Sequence, residues 1–396
     1  MVIKNGKIFG ADGVFRKGSI VISENKIAEI IYDDCGESVT ADSPFWYACH
    51  EKTLTENTLD ALGCYIIPGM IDIHLHGCNG YDLCDGTQRA IEEISDYQIK
   101  HGVTGMVPAT MTLSQECLRE IFRTIGSYQA EDGSRLLGVT MEGPFLSTAR
   151  KGAQKGEFIQ KPDVDFFREI QELSGGRICQ VVVAPEEDKD FAFIKEIAVE
   201  TVVSLGHTQA DYKTAEEAFT CGANHVTHLF NAMPEWLHRN PGLIGAAYDR
   251  KDVFVELICD GVHVHPSMVR AAFALFGAER ICMISDSIRA TGMPEGMYTL
   301  GGQEVCVKGR ICTLADKTLA GSASNLHDCL KRTVLEMGIP LETAVLSCTR
   351  TPARSLRLDK EWGSIAVDRT ADFVLLDEKL DVQYVIKDGK IVMQRS

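Results

Sequence analysis

The chain has 396 residues, enough for one large domain and a smaller one. Its 45% apolar and 24% charged content is that of an ordinary soluble globular protein, and no stretch reaches the ~18 uninterrupted apolar residues of a membrane span. A net charge of -16 argues against nucleic acid or an anionic membrane as partner, and an anionic small substrate would need local positive groups.

The opening residues, MVIKNGKIFG, lack the apolar core of a signal peptide. The 14 cysteines are scattered without a CxxC pair and read as reduced, mostly buried thiols of a cytoplasmic protein. Residues 1 to about 35 alternate apolar and polar, with Asn-Gly and Glu-Asn at the turns, which is hairpin patterning. Residues 36–60 are polar and irregular, with Pro44, Trp46 and His50, and are expected to be a long loop or insertion. His50 has no partner nearby and reads as a surface histidine. The C-terminal run from Ala371 to Val392 returns to strand patterning, with Asp-Gly at a turn. Strands at both ends predict a small β-sandwich domain built from both termini, residues 1–65 and 358–396.

Between them lie eight strand-like runs: Ile66 to His76, Val103 to Thr110, Arg135 to Pro144, Cys179 to Glu186, Thr201 to Thr208, His225 to Met233, Val253 to His263 and Ile281 to Ser287. TQRAIEEISDYQIKHG and SQECLREIFRTIGSYQ carry apolar residues at helical spacing. Eight β runs alternating with helices predict an α/β fold, a (β/α)8 TIM-type barrel over residues 66–357.

In such barrels the chemistry sits at the C-terminal ends of the strands. Those ends carry His74 and His76, Glu142, His207, His228, His263 and Asp286. Side chains at i and i+2 of an extended strand point the same way, so His74 and His76 share a face with Asp72 below them, and Gly77 lets the backbone turn away. Any one of these histidines could be a hydrogen-bonded core or loop residue; their convergence is the signal. Imidazole nitrogen and carboxylate oxygen suit Zn²⁺ or a similar cation, and a bound metal supplies hydroxide near neutral pH. Asp286 is placed to move a proton to a leaving amine. The fourth strand has no lysine that could bridge two metals, which leaves Glu142 as the available bridge. His225 points to the opposite side of its strand from His228. His265 lies past a strand end, His101 sits at a capping position before Gly102, and His238 adjoins Arg239.

The motifs PGMIDIHLHG, MEGPFLS followed by KGAQ, SLGHT, THLFNAMP, RNPGLIG, DGVHV, SDS and LAGS together resemble the amidohydrolase superfamily, and closely its N-acetylglucosamine-6-phosphate deacetylases, over nearly the whole chain. The resemblance implies that Glu142, His207 and His228 bind one divalent metal (Zn, with Fe, Mn or Co as alternatives). A second ion would use His74 and His76 with Glu142 shared. It implies Asp286 as catalytic acid/base and a phosphorylated amino sugar as substrate. Asn231 and Ala232 resemble a phosphate-binding turn, and Arg239 an arginine offered to the phosphate across a homodimer interface. His263 resembles a substrate contact, and Leu319, Ala320 and Gly321 a late loop over the acetyl group. Ala153 and Gln154 fall at a substrate position where some members have histidine in place of Gln154. A deacetylase of the galactosamine epimer or another amidohydrolase, and a non-catalytic scaffold, stay open as alternatives; retention of every ligand disfavours the scaffold.

Overall fold

The computed structural model describes residues 1–33, 38–40, 58–129 and 132–395. Strands from both termini share one nine-stranded sheet. Val2–Phe9, Phe15–Ser23 and Lys26–Tyr32 pair antiparallel in succession. Phe373–Leu376, Val382–Lys387 and Lys390–Gln394 do the same at the other end. Tyr65–Pro68 joins the two groups, parallel to the first strand and antiparallel to Phe373–Leu376.

The expected single strand from Ile66 to His76 is therefore two. Pro68-Gly69 breaks it, and Met70–Asp72 begins a separate, parallel sheet. Gly69 is required there because a Cβ would lie 2.0 Å from Thr104 Oγ1. The seam strands face two cores by simple alternation. Ile66, Phe373 and Leu375 enter the terminal cluster with Ile3, Ile8 and Ile20, while Ile67, Val374 and Leu376 enter the large cluster of the rest of the molecule. Burial on both faces explains why FVLL has no polar residue.

The long loop expected over 36–60 is replaced at its ends by the short strands Ser38–Thr40 and Thr58–Asp60, each paired into the terminal sheet. Pro44, Trp46 and His50 lie outside the described residues.

The middle of the chain is a curled parallel arrangement alternating with helices. Six strands run side by side in chain order: Val139–Glu142, Ile178–Val183, Val202–Leu205, His225–Val226, Phe254–Ile258 and Ile281–Ile284. Arg135–Leu136, Val103–Met106 and Met70–Asp72 form a second parallel sheet. Backbone hydrogen bonds link the two sheets at both edges. Thr140 N donates to Pro108 O at 2.9 Å, and Asp286 N donates to His74 O at 2.9 Å. The expected runs at 135–144 and 225–233 are shorter than their apolar patterns suggested; past Val226 the chain leaves the sheet to form the site.

The two helices read from spacing are Gln88–Lys100 and Gln115–Ser127. Thr87 and Ser114 cap them by accepting from the N–H groups of Ala90 and Cys117. His101 closes the first helix, its Nδ1 2.8 Å from Tyr97 O. His265 is the N-cap of Pro266–Phe276. Among the described residues no helix is long and apolar enough to cross a membrane. A three-stranded antiparallel sheet, Gly296–Leu300, Gln303–Lys308 and Ile311–Thr313, follows the last parallel strand.

Candidate metal centre

Strand ends deliver the site. Glu142 is the last residue of Val139–Glu142; His207, His228 and Asp286 each lie two residues past a strand. His74 and His76 follow Met70–Asp72. The backbone at His207, His228 and Asp286 has φ of 47°, 30° and 49°. Non-glycine residues held there cost about 1–3 kcal/mol each, and such strain clusters at functional sites. Gly77 has ordinary φ. It is needed because a Cβ would sit 2.0 Å from Tyr81 O, in the hairpin turn that follows His76.

Each of four imidazoles is tied at Nδ1. His74 Nδ1–H donates to Glu256 Oε2 at 2.9 Å, and His76 to Ala109 O at 3.2 Å. His207 donates to Arg150 O at 3.0 Å and His228 to Asn231 O at 3.2 Å. Acceptors at every Nδ1 fix the first proton there and leave each Nε2 as the nitrogen that a cation would take. All four Nε2 atoms turn to Glu142. His207, His228 and His74 lie 3.2, 3.3 and 3.5 Å from Oε1, and His76 lies 3.4 Å from Oε2. Asp286 Oδ1 is 3.3 Å from His76 Nε2.

The residues fit a cation. Nε2 of His207 and Nε2 of His228 are 3.1 Å apart, two lone pairs facing each other. His74 Nε2 is buried without a hydrogen-bond partner. Ligand atoms within 4.8 Å of one another form two groups, Glu142 with His207 and His228, and His74 with His76 and Asp286. The second group holds Asp286 where the resemblance implied a shared Glu142. Burial alone would raise the pKa of Glu142, but protons on the facing histidines, His74 foremost, hold it well below the usual carboxylate range, and a cation would take the place of those protons. Burial likewise works against ionised Asp286, and the protonated histidines around it, His76 foremost with His74 and His228, together outweigh it, so this carboxyl too stays below its ordinary value.

A cavity of about 400 Å³ opens over these groups, within the range of small-molecule sites. Of the expected substrate residues, Ala153, Gln154, Asn231, Ala232, His263, Leu319 and Gly321 line it. Ala320 does not; it is buried in an apolar cluster that includes Met111, Ile288 and Leu300. Arg239 is exposed in a neighbouring cavity, its guanidinium 2.5 Å from His238 Nε2. Gln154 is fixed end to end: Thr112 N donates to its Oε1 at 2.7 Å, and its Nε2 donates to Glu142 Oε2 at 2.8 Å. Its amide is here a neutral donor to the Glu142 carboxylate. His225 stays out of the cluster, buried beside Ser204, Cys282 and Glu256.

Three supporting residues escaped the sequence reading. Glu256 accepts from His74 with Oε2 and from Gln180 Nε2 with Oε1, the latter at 2.7 Å. Asp260 Oδ2 receives His263 Nδ1–H at 2.8 Å and aims that ring into the cavity. The signal for Glu256 and Asp260 was a carboxylate inside the apolar run VFVELICDG, and for Gln180 an amide inside ICQVVV, polar groups that burial makes costly unless they are bonded.

The Amidohydrolase family model matches residues 65–392. The chain belongs to the amidohydrolase family. This amidohydrolase is 33% identical to N-acetylglucosamine-6-phosphate deacetylase of Bacillus subtilis (strain 168), with 99% of this chain and 96% of the relative covered. It is 32% identical to the deacetylase of that name from Mus musculus, over 87% of each. The crystal structure of the Pasteurella multocida N-acetylglucosamine-6-phosphate deacetylase superposes with a TM-score of 0.89 at 26% identity, over 98% of both chains. A Mycobacterium smegmatis deacetylase variant in complex with N-acetyl-D-glucosamine 6-phosphate gives 0.86 at 28% identity, over 100% of this chain and 99% of that one.

Proposed function

We propose that this amidohydrolase removes the acetyl group from N-acetyl-D-glucosamine 6-phosphate, yielding D-glucosamine 6-phosphate and acetate, in amino sugar catabolism. The observation that carries the reading is the turning of four Nε2 atoms onto Glu142, with Asp286 beside them, under a cavity of sugar size. The named relatives supply the substrate.

Glu142, His207 and His228 would hold one divalent ion; His74 and His76, with Asp286 or a shared Glu142, would hold a second. Such an ion, zinc or a similar cation such as iron, manganese or cobalt, polarises an amide carbonyl and lowers the pKa of water to roughly 7. Asp286, ionised in its surroundings, takes the proton of the attacking water. It returns that proton to the amine nitrogen as the C–N bond breaks. Gln154 keeps the Glu142 carboxylate in one orientation. His263, anchored by Asp260, contacts the substrate. The turn at Asn231 and Ala232 receives the phosphate, and Arg239 reaches it from the second subunit of a homodimer; its exposure outside its own chain's site supports that assignment. Leu319 to Gly321 cover the acetyl group.

The parallel strands are read as a closed (β/α)8 barrel over 66–357, supported by the hydrogen bonds at both sheet edges. Residues 1–65 and 358–396 are read as a β-sandwich, supported by their separate apolar cluster. Twelve described cysteines are free thiols, which suits the cytoplasm.

The test is acetate release from N-acetylglucosamine 6-phosphate, beside the unphosphorylated sugar and the galacto epimer, with metal content measured on the same sample. Turnover that requires the phosphate and prefers the gluco epimer is the expected result. Metal present with no turnover of any of the three would sink the substrate and leave a hydrolase site.

A further inference from the structure

Phosphate recognition in this chain has a second candidate, and it lies inside the subunit's own cavity. Among the residues that line the cavity, Arg150 is the one lysine or arginine. Its guanidinium has no carboxylate and no carbonyl partner among the described residues, and its Nε is buried and unbonded. Two further arginines are committed elsewhere. Arg289 is 2.7 Å from Asp85, and Arg310 donates to Asp260 O at 3.0 Å. An unpaired buried guanidinium nitrogen costs free energy unless a ligand satisfies it.

The position of Arg150 is set by the site itself. Its carbonyl accepts from His207 Nδ1 at 3.0 Å, so the residue is tied to a ligand histidine. The loop it begins runs against the Asn231-Ala232 turn: a Cβ on Gly152 would lie 3.9 Å from Ala232 Cβ. Arg150 also lines the adjoining cavity together with Lys213 and Arg239. A protein of charge -16, with Glu142 and Asp286 in the same cavity, repels a phosphate dianion unless a local cation offsets them. A guanidinium matches phosphate geometry with paired N–H donors.

We propose that Arg150 is a substrate-binding residue that donates from within each subunit to the phosphate of the phosphorylated amino sugar, and so sets the preference over the unphosphorylated sugar. This rests on the deacetylase reading above. It assigns the phosphate a contact in its own chain, besides any arginine of a second subunit.

The experiment compares wild type with Arg150→Gln and Arg150→Lys, each checked for equal metal content. Readouts are kcat and KM on N-acetylglucosamine 6-phosphate and on N-acetylglucosamine, and the dissociation constant for inorganic phosphate by calorimetry. Losing a charge-assisted hydrogen bond predicts that Arg150→Gln lowers the ratio of kcat/KM for the two sugars roughly ten- to a hundredfold, mainly through KM. Phosphate binding should weaken by a similar factor, and Arg150→Lys should recover part of both. An unchanged ratio together with unchanged phosphate binding overturns the proposal. If wild type itself does not release acetate from either sugar, the deacetylase reading fails. The phosphate arm then decides alone: loss of binding in Arg150→Gln keeps Arg150 as an anion contact, and no loss removes it.

Discussion

Glu256 Oε2 lies 2.9 Å from His74 Nδ1, and both side chains are fully buried. The same oxygen accepts the backbone N–H of His228 at 3.2 Å. One carboxylate oxygen thus aligns a candidate ligand from each of the two clusters. Glu256→Gln keeps the shape but removes the charge that favours Nδ1–H on His74. Partners of this kind are worth roughly 10–100-fold in metal affinity. The metal-to-protein ratio after dialysis against a weak chelator should fall accordingly. A ratio equal to wild type would show that Glu256 only fills space.

Asp286→Asn should separate binding from chemistry. Asparagine cannot take the proton of the attacking water, so kcat should drop by roughly 10²–10⁴. The cluster of Glu142, His207 and His228 does not contain Asp286 and should retain its ion. Stopped turnover with metal still present by elemental analysis is the expected pair of results; activity within a few fold of wild type would remove Asp286 from the proton path.

His225 predicts an acid limb of stability. Burial drives its pKa down to about 4, so the folded chain keeps it neutral. Between about pH 6.5 and 4 the unfolded chain takes up a proton that the folded chain refuses. Stability attributable to His225 is therefore complete above pH 6.5 and is lost as pH falls toward 4, by roughly 3 kcal/mol at most. Urea unfolding of wild type and His225→Gln over that window reads the difference. The variant's curve should be shallower; parallel curves would mean that His225 does not titrate differently on folding.

Gly77→Ala should damage stability and site together. The added methyl would meet the backbone oxygen of Tyr81 at 2.0 Å and Asp82 Cα at 2.9 Å, neither of which is a flexible side-chain end. Overpacking of this sort costs roughly 1–3 kcal/mol. Because His76 is the preceding residue, retention of the ion at His74 and His76 should fall with the thermal midpoint. A wild-type midpoint would show that the hairpin yields freely.

Much of this site was legible because strands write it with a simple rule. Alternation places His74 and His76 together, and strand ends collect Glu142, His207, His228 and Asp286. What stayed hidden depends on contacts far apart in sequence. Glu256 and Gln180 look like errors in apolar runs until the parallel strands bring them to one oxygen. The seam at Pro68-Gly69 was hidden because IIPGMID is apolar on both sides of the break, and a pattern of burial does not say which sheet does the burying. The hairpin sheet over 296–313 was overlooked although GMYTLGGQEVCVK alternates around Gly-Gly; its nearness to the cavity, through Leu300, appears only in three dimensions.

The seam has a consequence for how the molecule comes into being. Tyr65–Pro68 runs directly into the strand that presents His74 and His76, yet its antiparallel neighbour, Phe373–Leu376, comes from the far end of the chain. Gly69 N also waits for Asp372 O, at 3.0 Å. During synthesis, which proceeds from the N-terminus, the first two histidines leave the ribosome long before Phe373–Leu376, the strand that flanks their approach. Full loading of the candidate metal centre would therefore wait for residues 373–376, and a protein stopped short of residue 373 would carry all of the candidate ligands and still lack the edge beside the first two.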